Sequence, residues 1–125
     1  MIAPALLLVQ AVAPAPAPPA DWSMLPELPL APPPRTFDPS VFVRGEVAAR
    51  RCRAVPDGAA LRVAQPVALW VDARGEVARI VPQAIGCPTV EQYTAGYVST
   101  LARRSGPTGL RPGWYRYVVT YRWAG

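Results

Sequence analysis

Few side chains in this sequence could carry out chemistry, and their types narrow what that chemistry could be. The sequence contains no histidine, so the usual catalytic triads are absent. Its 8 acidic residues are scattered, and none pairs with another on an obvious shared face in a cleft. The Gly106–Gly109 segment is too short and too interrupted by proline for a phosphate loop. We therefore expect no catalytic residues, no enzymatic activity and no cofactor.

The two cysteines, Cys52 and Cys87, are the remaining reactive groups. They do not suffice for a zinc site, because four ligands would require carboxylates or a second chain. A nucleophilic thiol would lack a histidine base to activate it. A disulfide between them is the economical interpretation in an oxidising compartment, and two buried free thiols remain the alternative. We expect no metal site.

The N-terminus supports an oxidising compartment. Residues 3–13 form a short apolar run that ends in small residues, which is typical of a signal peptide. The run is too short to cross a bilayer, for which about 20 residues are needed. No basic residue precedes it, so an apolar tail without a targeting role remains the alternative. We predict a signal peptide over residues 1–13 and a periplasmic or secreted protein.

The domain that follows is small. Residues 14–39 are rich in proline, which removes backbone donors and favours an extended chain, so we interpret most of this segment as a tether. Two alternatives stay open for the four apolar residues that interrupt it, which either dock on the domain or ride on the extended tether: Trp22, Met24, Leu25 and Leu28. The domain itself is predicted over residues 40–125. A core of about 85 residues is modest, and a covalent cross-link would help to stabilise it.

A helix is predicted at the start of the domain. Asp38 can cap the free N–H groups of a helix, and Pro39 suits the first helical position. Glu46 and Arg50 would form a favourable pair four residues apart. A strand with alternating valines is the competing interpretation. The predicted inner face of the helix consists of Phe42, Gly45, Ala49 and Cys52.

A hairpin and a second helix follow. Residues 61–72 and 76–81 read as strands, and Asp72–Gly75 suits a type I turn that ends in a left-handed glycine. Pro66 predicts that the first strand is locally an edge or is bulged. Thr89 and Gln92 match a capping box for a helix over residues 89–104, which Gly106 and Pro107 end. Its predicted apolar stripe is Val90, Tyr93, Tyr97 and Leu101, with Thr94 and Val98 at the margin.

The last strand alternates cleanly from Trp114 to Trp123, which predicts one buried and one solvated face. Its aromatic residues alternate with arginines, as in nucleic-acid stacking surfaces, but opposite faces separate the two sets, so we expect no nucleic-acid partner. The buried set is predicted to be Tyr115, Tyr117, Val119, Tyr121 and Trp123. The solvated set is predicted to be Trp114, Arg116, Val118, Thr120 and Arg122.

These elements predict an α+β domain in the order α-β-β-α-β, with a small antiparallel three-stranded sheet covered by two helices. The segments VDARGEV, GCPTVEQY and WYRYVVTYRW, behind a proline-rich spacer, resemble the C-terminal domain of TonB-type energy transducers. The resemblance covers residues 40–123. It implies binding of extended receptor segments by strand addition. The chain departs from the family in lacking a transmembrane anchor and in carrying SGPTGLRPG after the second helix, so we expect the fold without energy transduction.

The expected function is therefore non-enzymatic. We predict a cell-envelope module that binds an extended peptide or protein segment along the edge of the last strand. The candidate partner-binding residues are Arg116, Val118, Thr120 and Arg122. The net charge is +5 and every basic residue is arginine, which favours anionic partners. The alternative is a structural envelope protein that acts through this basic surface. An open strand edge favours the first function, and an edge blocked by the tether favours the second.

Overall fold

The computed structural model describes residues 2–5, 15–31 and 37–125. Most of the predicted signal peptide, together with residues 14 and 32–36 of the tether, lies outside these residues. Two helices and four strands follow one another along the described chain. They are α1 (Ser40–Ala48), β1 (Val55–Asp57), β2 (Ala60–Val71), β3 (Val77–Pro82), α2 (Pro88–Ser105) and β4 (Gly113–Ala124).

The sheet is antiparallel and is built around β2. Strand β4 pairs with β2 along its whole length, from Ala60 opposite Ala124 to Val71 opposite Gly113. On the other side of β2, β1 pairs with one end and β3 with the other. The α+β class and the order of the long elements are confirmed. The predicted sheet of three strands is corrected to four, because the short β1, which was not predicted, pairs with the first residues of β2.

The β2–β3 hairpin forms as its sequence predicts. The backbone N–H of Gly75 donates to the carbonyl oxygen of Asp72 at 3.0 Å, and Gly75 has the positive φ of 77° that glycine adopts without strain. The Asp72 side chain accepts hydrogen bonds from the backbone N–H groups of Arg74 and Glu76. Asp72 is therefore a turn-closing residue, as the sequence analysis proposed.

Pro66 lies where β2 has no paired strand on the β1–β3 side, although its carbonyl oxygen accepts a hydrogen bond from the Gln83 N–H just beyond β3. The register places Pro82, the last residue of β3, opposite Val67, and Val55, the first residue of β1, opposite Arg62. Residues 63–66 of β2 therefore face a gap between these two short strands. The missing N–H of Pro66 leaves no ladder bond unmade, and the prediction of a local edge is confirmed.

Helix α1 begins at Ser40, one residue later than predicted, with Pro39 rather than Asp38 as its N-cap, and it buries a different face. Asp38 Oδ1 accepts from the backbone N–H of Ser40 at 3.0 Å, which satisfies one free donor at the helix start. The buried residues of α1 are Ser40, Val43 and Glu46, so the predicted inner face through Phe42, Gly45 and Ala49 is wrong.

The predicted pair of Glu46 with Arg50 is also wrong. Arg50 has left the helical conformation, with a φ of 62°, and the ion partner of Glu46 is Arg51, at 3.1 Å. The left-handed residue at the end of α1 turns the chain, which brings the next side chain back over the last helical turn.

Helix α2 also differs in detail from its prediction. It begins at Pro88 rather than Thr89, and Thr89 does not form the predicted capping box with Gln92. Instead, the carboxylate of Glu91 accepts hydrogen bonds from the backbone N–H groups of Ile85 and Cys87. The negative charge lies at the positive end of the helix dipole, as expected from the position of Glu91.

The core lies between α2 and one face of the sheet. Val67, Leu69 and Val71 of β2 are fully buried there. The buried stripe of α2 consists of Val90, Thr94, Val98 and Leu101. Thr94 and Val98 are therefore central, and the predicted stripe through Tyr93 and Tyr97 is rotated by about one residue, so that these two aromatic rings flank the core.

A disulfide joins Cys52 to Cys87, as predicted, with the two Cα atoms 5.2 Å apart. It connects the turn after α1 to the residue immediately before α2. Both cysteines are buried. The cross-link therefore holds the two helices to each other at one end of the sheet.

Candidate functional site

The two faces of β4 separate as the alternation predicts. Val119 and Tyr121 are buried against the helices, whereas Val118, Thr120 and Arg122 are exposed on the opposite face. We call that opposite side the helix-free face. It is the solvated face of the sequence prediction, and it carries all four candidate partner-binding residues.

The tyrosines on the helix side are held in their neutral form. Burial raises the pKa of Tyr121 to about 12, although its hydrogen bond to Thr94 opposes this. Burial also raises the pKa values of Tyr93, Tyr97 and Tyr117. These phenols are therefore structural at neutral pH. They fill the space beside the buried centre of α2.

Among the described residues, the helix-free face carries three ion pairs, two of which share one carboxylate. The Arg122 guanidinium contacts Asp57 of β1 at 3.1 Å, and Arg62 approaches the same carboxylate oxygen at 4.0 Å. At the other end of β4, Arg116 lies 3.9 Å from Glu27. Both predicted arginines therefore already have acidic neighbours. Because every pair is at least partly exposed to solvent, each contributes little to stability and can exchange partners.

The outer edge of β4, which is the edge not paired with β2, carries a backbone contact that the sequence did not predict. Residues 15–31 form an arm that turns at residues 22–25, where the Leu25 N–H donates to the carbonyl oxygen of Trp22. After this turn the arm meets β4 in a parallel bridge between Glu27 and Arg116. The Arg116 N–H donates to the carbonyl oxygen of Pro26, and the Leu28 N–H donates to the carbonyl oxygen of Arg116, both at 2.9 Å. The arm therefore occupies one position of this edge.

These two hydrogen bonds also fix the direction of the other backbone groups of β4. Alternate residues of a strand direct their N–H and C=O groups to opposite neighbours. The backbone N–H and C=O groups of Arg116 point to the outer edge of β4. The backbone N–H and C=O groups of Val118, Thr120 and Arg122 therefore point to the outer edge as well. Within the described residues these outward groups have no backbone partner. Among the described residues, the outer edge is thus paired at Arg116 and unpaired over residues 118–122.

The open part of the edge begins in a pocket. Val118 and Tyr117 line one side of a pocket of about 360 Å³, and Glu27, Leu28, Pro29 and Leu30 of the arm line the other. The arm therefore diverges from β4 immediately after its bridge. An incoming chain would meet both apolar side chains and free backbone groups at this point.

A pocket of about 520 Å³ lies between the β2–β3 turn, the end of α2 and residues 106–109, and it is lined by Arg74 and Arg103. Within the described ranges, no three potential metal ligands cluster together. The larger pocket brings together no nucleophile and base, so its geometry supports no particular reaction.

Sequence reasoning missed the buried Gln65. Its Nε2 donates to the carbonyl oxygens of Pro66 and Gln83, at 2.9 and 2.8 Å. Gln65 thereby links β2 to the chain after β3 across the gap in the sheet. Its position in the strand alternation, on the same face as Val67, was the one available signal.

Searches of family models, curated proteins and solved structures found nothing that matches this chain. In the described part of the chain, no helix combines the length and the apolar character needed to cross a bilayer.

Proposed function

We propose that this protein is a non-enzymatic binding module of the cell envelope that recognises an extended peptide or protein segment by strand addition. The binding site is the outer edge of β4 over residues 118–122. The observation that carries the proposal is the arm, which already pairs with this edge at Arg116. In the part of the chain that the structure describes, the next three outward-facing residues have no backbone partner.

Main-chain hydrogen bonds would provide most of the affinity. An open edge presents alternating N–H and C=O groups that an incoming strand can satisfy. Val118 is 41% exposed, so a bound chain would also cover apolar surface. Arg116 and Arg122 would favour partners with acidic side chains, which can compete with Glu27 and Asp57 for the two guanidinium groups.

The periplasmic or secreted location belongs to the same proposal. The Cys52–Cys87 disulfide supports it, because structural disulfides persist in oxidising compartments. The apolar segment near the N-terminus supports it independently. The similarity to TonB C-terminal domains is compatible with the location and with binding by strand addition, and it remains a prediction.

The bridge between the arm and β4 also favours the alternative function, a structural envelope protein that acts through its basic surface. If the arm and the chain that follows it closed the whole edge, the arginines would be the main remaining means of contact. The described contacts close one position, and for this reason we prefer strand addition.

A matched pair of substitutions at Thr120 tests the proposal. Thr120→Pro removes an outward-facing N–H and leaves the bonds between β2 and β4 intact, because those bonds are made by the alternate residues. Thr120→Val keeps the N–H and serves as the control. Losing one buried hydrogen bond lowers affinity by about tenfold.

The measurement begins with capture from envelope extract by the wild-type chain and the two variants. A segment of the captured protein is then synthesised and its affinity is measured. We expect the Pro variant to bind about tenfold more weakly and the Val variant to bind as the wild type does. Equal binding by all three chains would contradict strand addition at this edge. If the three chains bind equally and all of them lose binding in high salt, the basic-surface alternative is supported.

A further inference from the structure

We infer that residues 26–28 of the arm are a displaceable occupant of the outer edge, and that the partner resembles them. The partner segment would run parallel to β4, with an acidic residue beside Arg116 followed by a large aliphatic residue. This inference rests on the proposed strand addition and specifies its ligand and its regulation. It is drawn from the contacts that the arm itself makes.

The acidic position follows from the bridge. Glu27 is the residue directly paired with Arg116, and its carboxylate lies 3.9 Å from the guanidinium. The Arg116 side chain is about one-third exposed, and its Nε is buried without a hydrogen-bond partner among the described residues. An acidic side chain that approached more closely could use this donor, which Glu27 does not reach.

The aliphatic position follows from the next residue. Leu28 points to the opposite side of the arm from Glu27 and is only 1% exposed, within the same core cluster as Val119 and Tyr121. Because Leu28 comes from the arm and is still almost completely buried, the domain must form a cavity that fits its side chain. A partner that displaces the arm must fill this cavity, and a leucine-like side chain does so.

The arm is a poor competitor for its own edge. It makes two backbone hydrogen bonds to β4. Pro26 faces β4 without an N–H, so it cannot donate to the carbonyl oxygen of Trp114. Pro29 falls on the outward side, where its missing N–H protects the arm from pairing with a further strand. These two prolines thus limit the pairing between the arm and β4 to a short stretch and keep a further strand from pairing with the arm.

A longer partner without these prolines could form more hydrogen bonds. It could donate to the Trp114 carbonyl and continue along Val118, Thr120 and Arg122, which the arm leaves open. The arm would reduce the apparent affinity of every partner by the fraction of time for which it is docked. Weakening the arm should therefore strengthen partner binding, which is the opposite of what loss of a binding residue does.

The test uses the full-length chain and a synthetic probe. The probe is a peptide of residues 22–31 of this sequence carrying Pro26→Ala and Pro29→Ala, and a second peptide adds Glu27→Lys. Three proteins are compared: the wild type, Leu28→Ala and Glu27→Lys. If Leu28→Ala unfolds the domain, Glu27→Lys still tests the inference, because Glu27 is exposed.

We expect Leu28→Ala to raise the affinity for the probe by about tenfold, because removing a buried leucine side chain strongly weakens docking of the arm. Glu27→Lys should raise it by a smaller factor, since an exposed ion pair is weak. The peptide with Glu27→Lys should bind all three proteins more weakly than the probe does. Amide exchange at Leu28 should accelerate in the wild type when the probe binds.

The opposite results separate this inference from the proposed function. If all three proteins bind the probe equally, and Leu28 stays protected while the amides of residues 118–122 become protected, strand addition stands and displacement of the arm is wrong. If binding leaves residues 118–122 unprotected in every protein, both are wrong. A concentration-dependent doubling of mass in Leu28→Ala, without probe binding, would show that the edge accepts a second copy instead.

Discussion

At the residue scale, the most informative buried contact joins the last strand to the second helix. Thr94 Oγ1 donates to the carbonyl oxygen of Val90 at 2.8 Å and lies 2.6 Å from the Tyr121 hydroxyl. Thr94 has a single hydroxyl hydrogen, which it gives to Val90, so the Tyr121 hydroxyl must donate to Thr94. This chain of hydrogen bonds satisfies two buried hydroxyls beneath α2.

Removing the Tyr121 hydroxyl should destabilise the domain without changing its fold. Tyr121→Phe is expected to lower the free energy of unfolding by about 1 kcal/mol. Tyr115→Phe is the matched control, because the Tyr115 hydroxyl donates to the backbone of Arg111 in an exposed position. Denaturant unfolding of both variants measures the difference. A larger loss for Tyr115→Phe would show that Tyr121 is not central.

The ionisation of Tyr121 should make stability depend on alkaline pH. Its pKa is raised from 10.0 to about 12 in the folded chain, so folding favours the neutral phenol. The contribution is therefore fully present below pH 10 and is lost as the pH rises through about 12. Thermal unfolding between these values should show a fall in stability that is smaller in Tyr121→Phe. An identical fall in the two proteins would contradict this.

At the element scale, the disulfide and the central strand should dominate stability. The disulfide closes a loop with a sequence separation of 35 residues between Cys52 and Cys87. Loop-closure entropy for this length gives about 3–4 kcal/mol. We expect reduction to lower the midpoint of thermal unfolding markedly. Mass spectrometry with an alkylating agent, without reductant, should find no free thiol. Two alkylated cysteines would contradict the pairing.

The centre of the core should lie on β2. Leu69 is fully buried, and Leu69→Ala is expected to lower the free energy of unfolding by about 3 kcal/mol. Val41→Ala, at a position that is 67% exposed on α1, should change it by less than about 0.5 kcal/mol. Chemical denaturation compares the two. Similar effects from both substitutions would mean that α1 packs differently.

The sequence predicts an element well when the residues within that element determine its structure. The β2–β3 hairpin has both its turn residues and its alternating strands, and the end of α2 has glycine and proline, so both were found. The inner face of α1 was not found, because it includes the polar residues Ser40 and Glu46, whose side chains are hydrogen-bonded to Asp38 and Arg51.

The position at which the arm pairs with β4 could not be predicted, for a related reason. Its backbone bonds to Arg116 join residues nearly ninety positions apart in sequence, and a proline-rich segment has no periodicity that indicates a partner. The candidate residues on β4 were placed on the correct face by alternation. That Arg116 is occupied while its neighbours on the edge are open depends on tertiary pairing alone.

At the scale of the whole molecule, a sheet closed on one side by two helices is joined to an arm that pairs with its outer edge. The net charge is +5, and every basic residue is an arginine. Two of these arginines lie on β4, the strand that we propose binds the partner. A domain of this size would thus present its strand edge and its positive charge together. We expect partner binding to weaken as salt increases, by screening of Arg116 and Arg122.

Amide hydrogen exchange of β4 in the isolated full-length chain tests the central claim most directly. We predict an alternating pattern, with slow exchange at Tyr117, Val119 and Tyr121, which bond to β2, and fast exchange at Val118, Thr120 and Arg122. Arg116, bonded to the arm, should be intermediate. Slow exchange at every residue from 116 to 122 would show that the edge is already closed, and would contradict the proposal that it binds a partner strand.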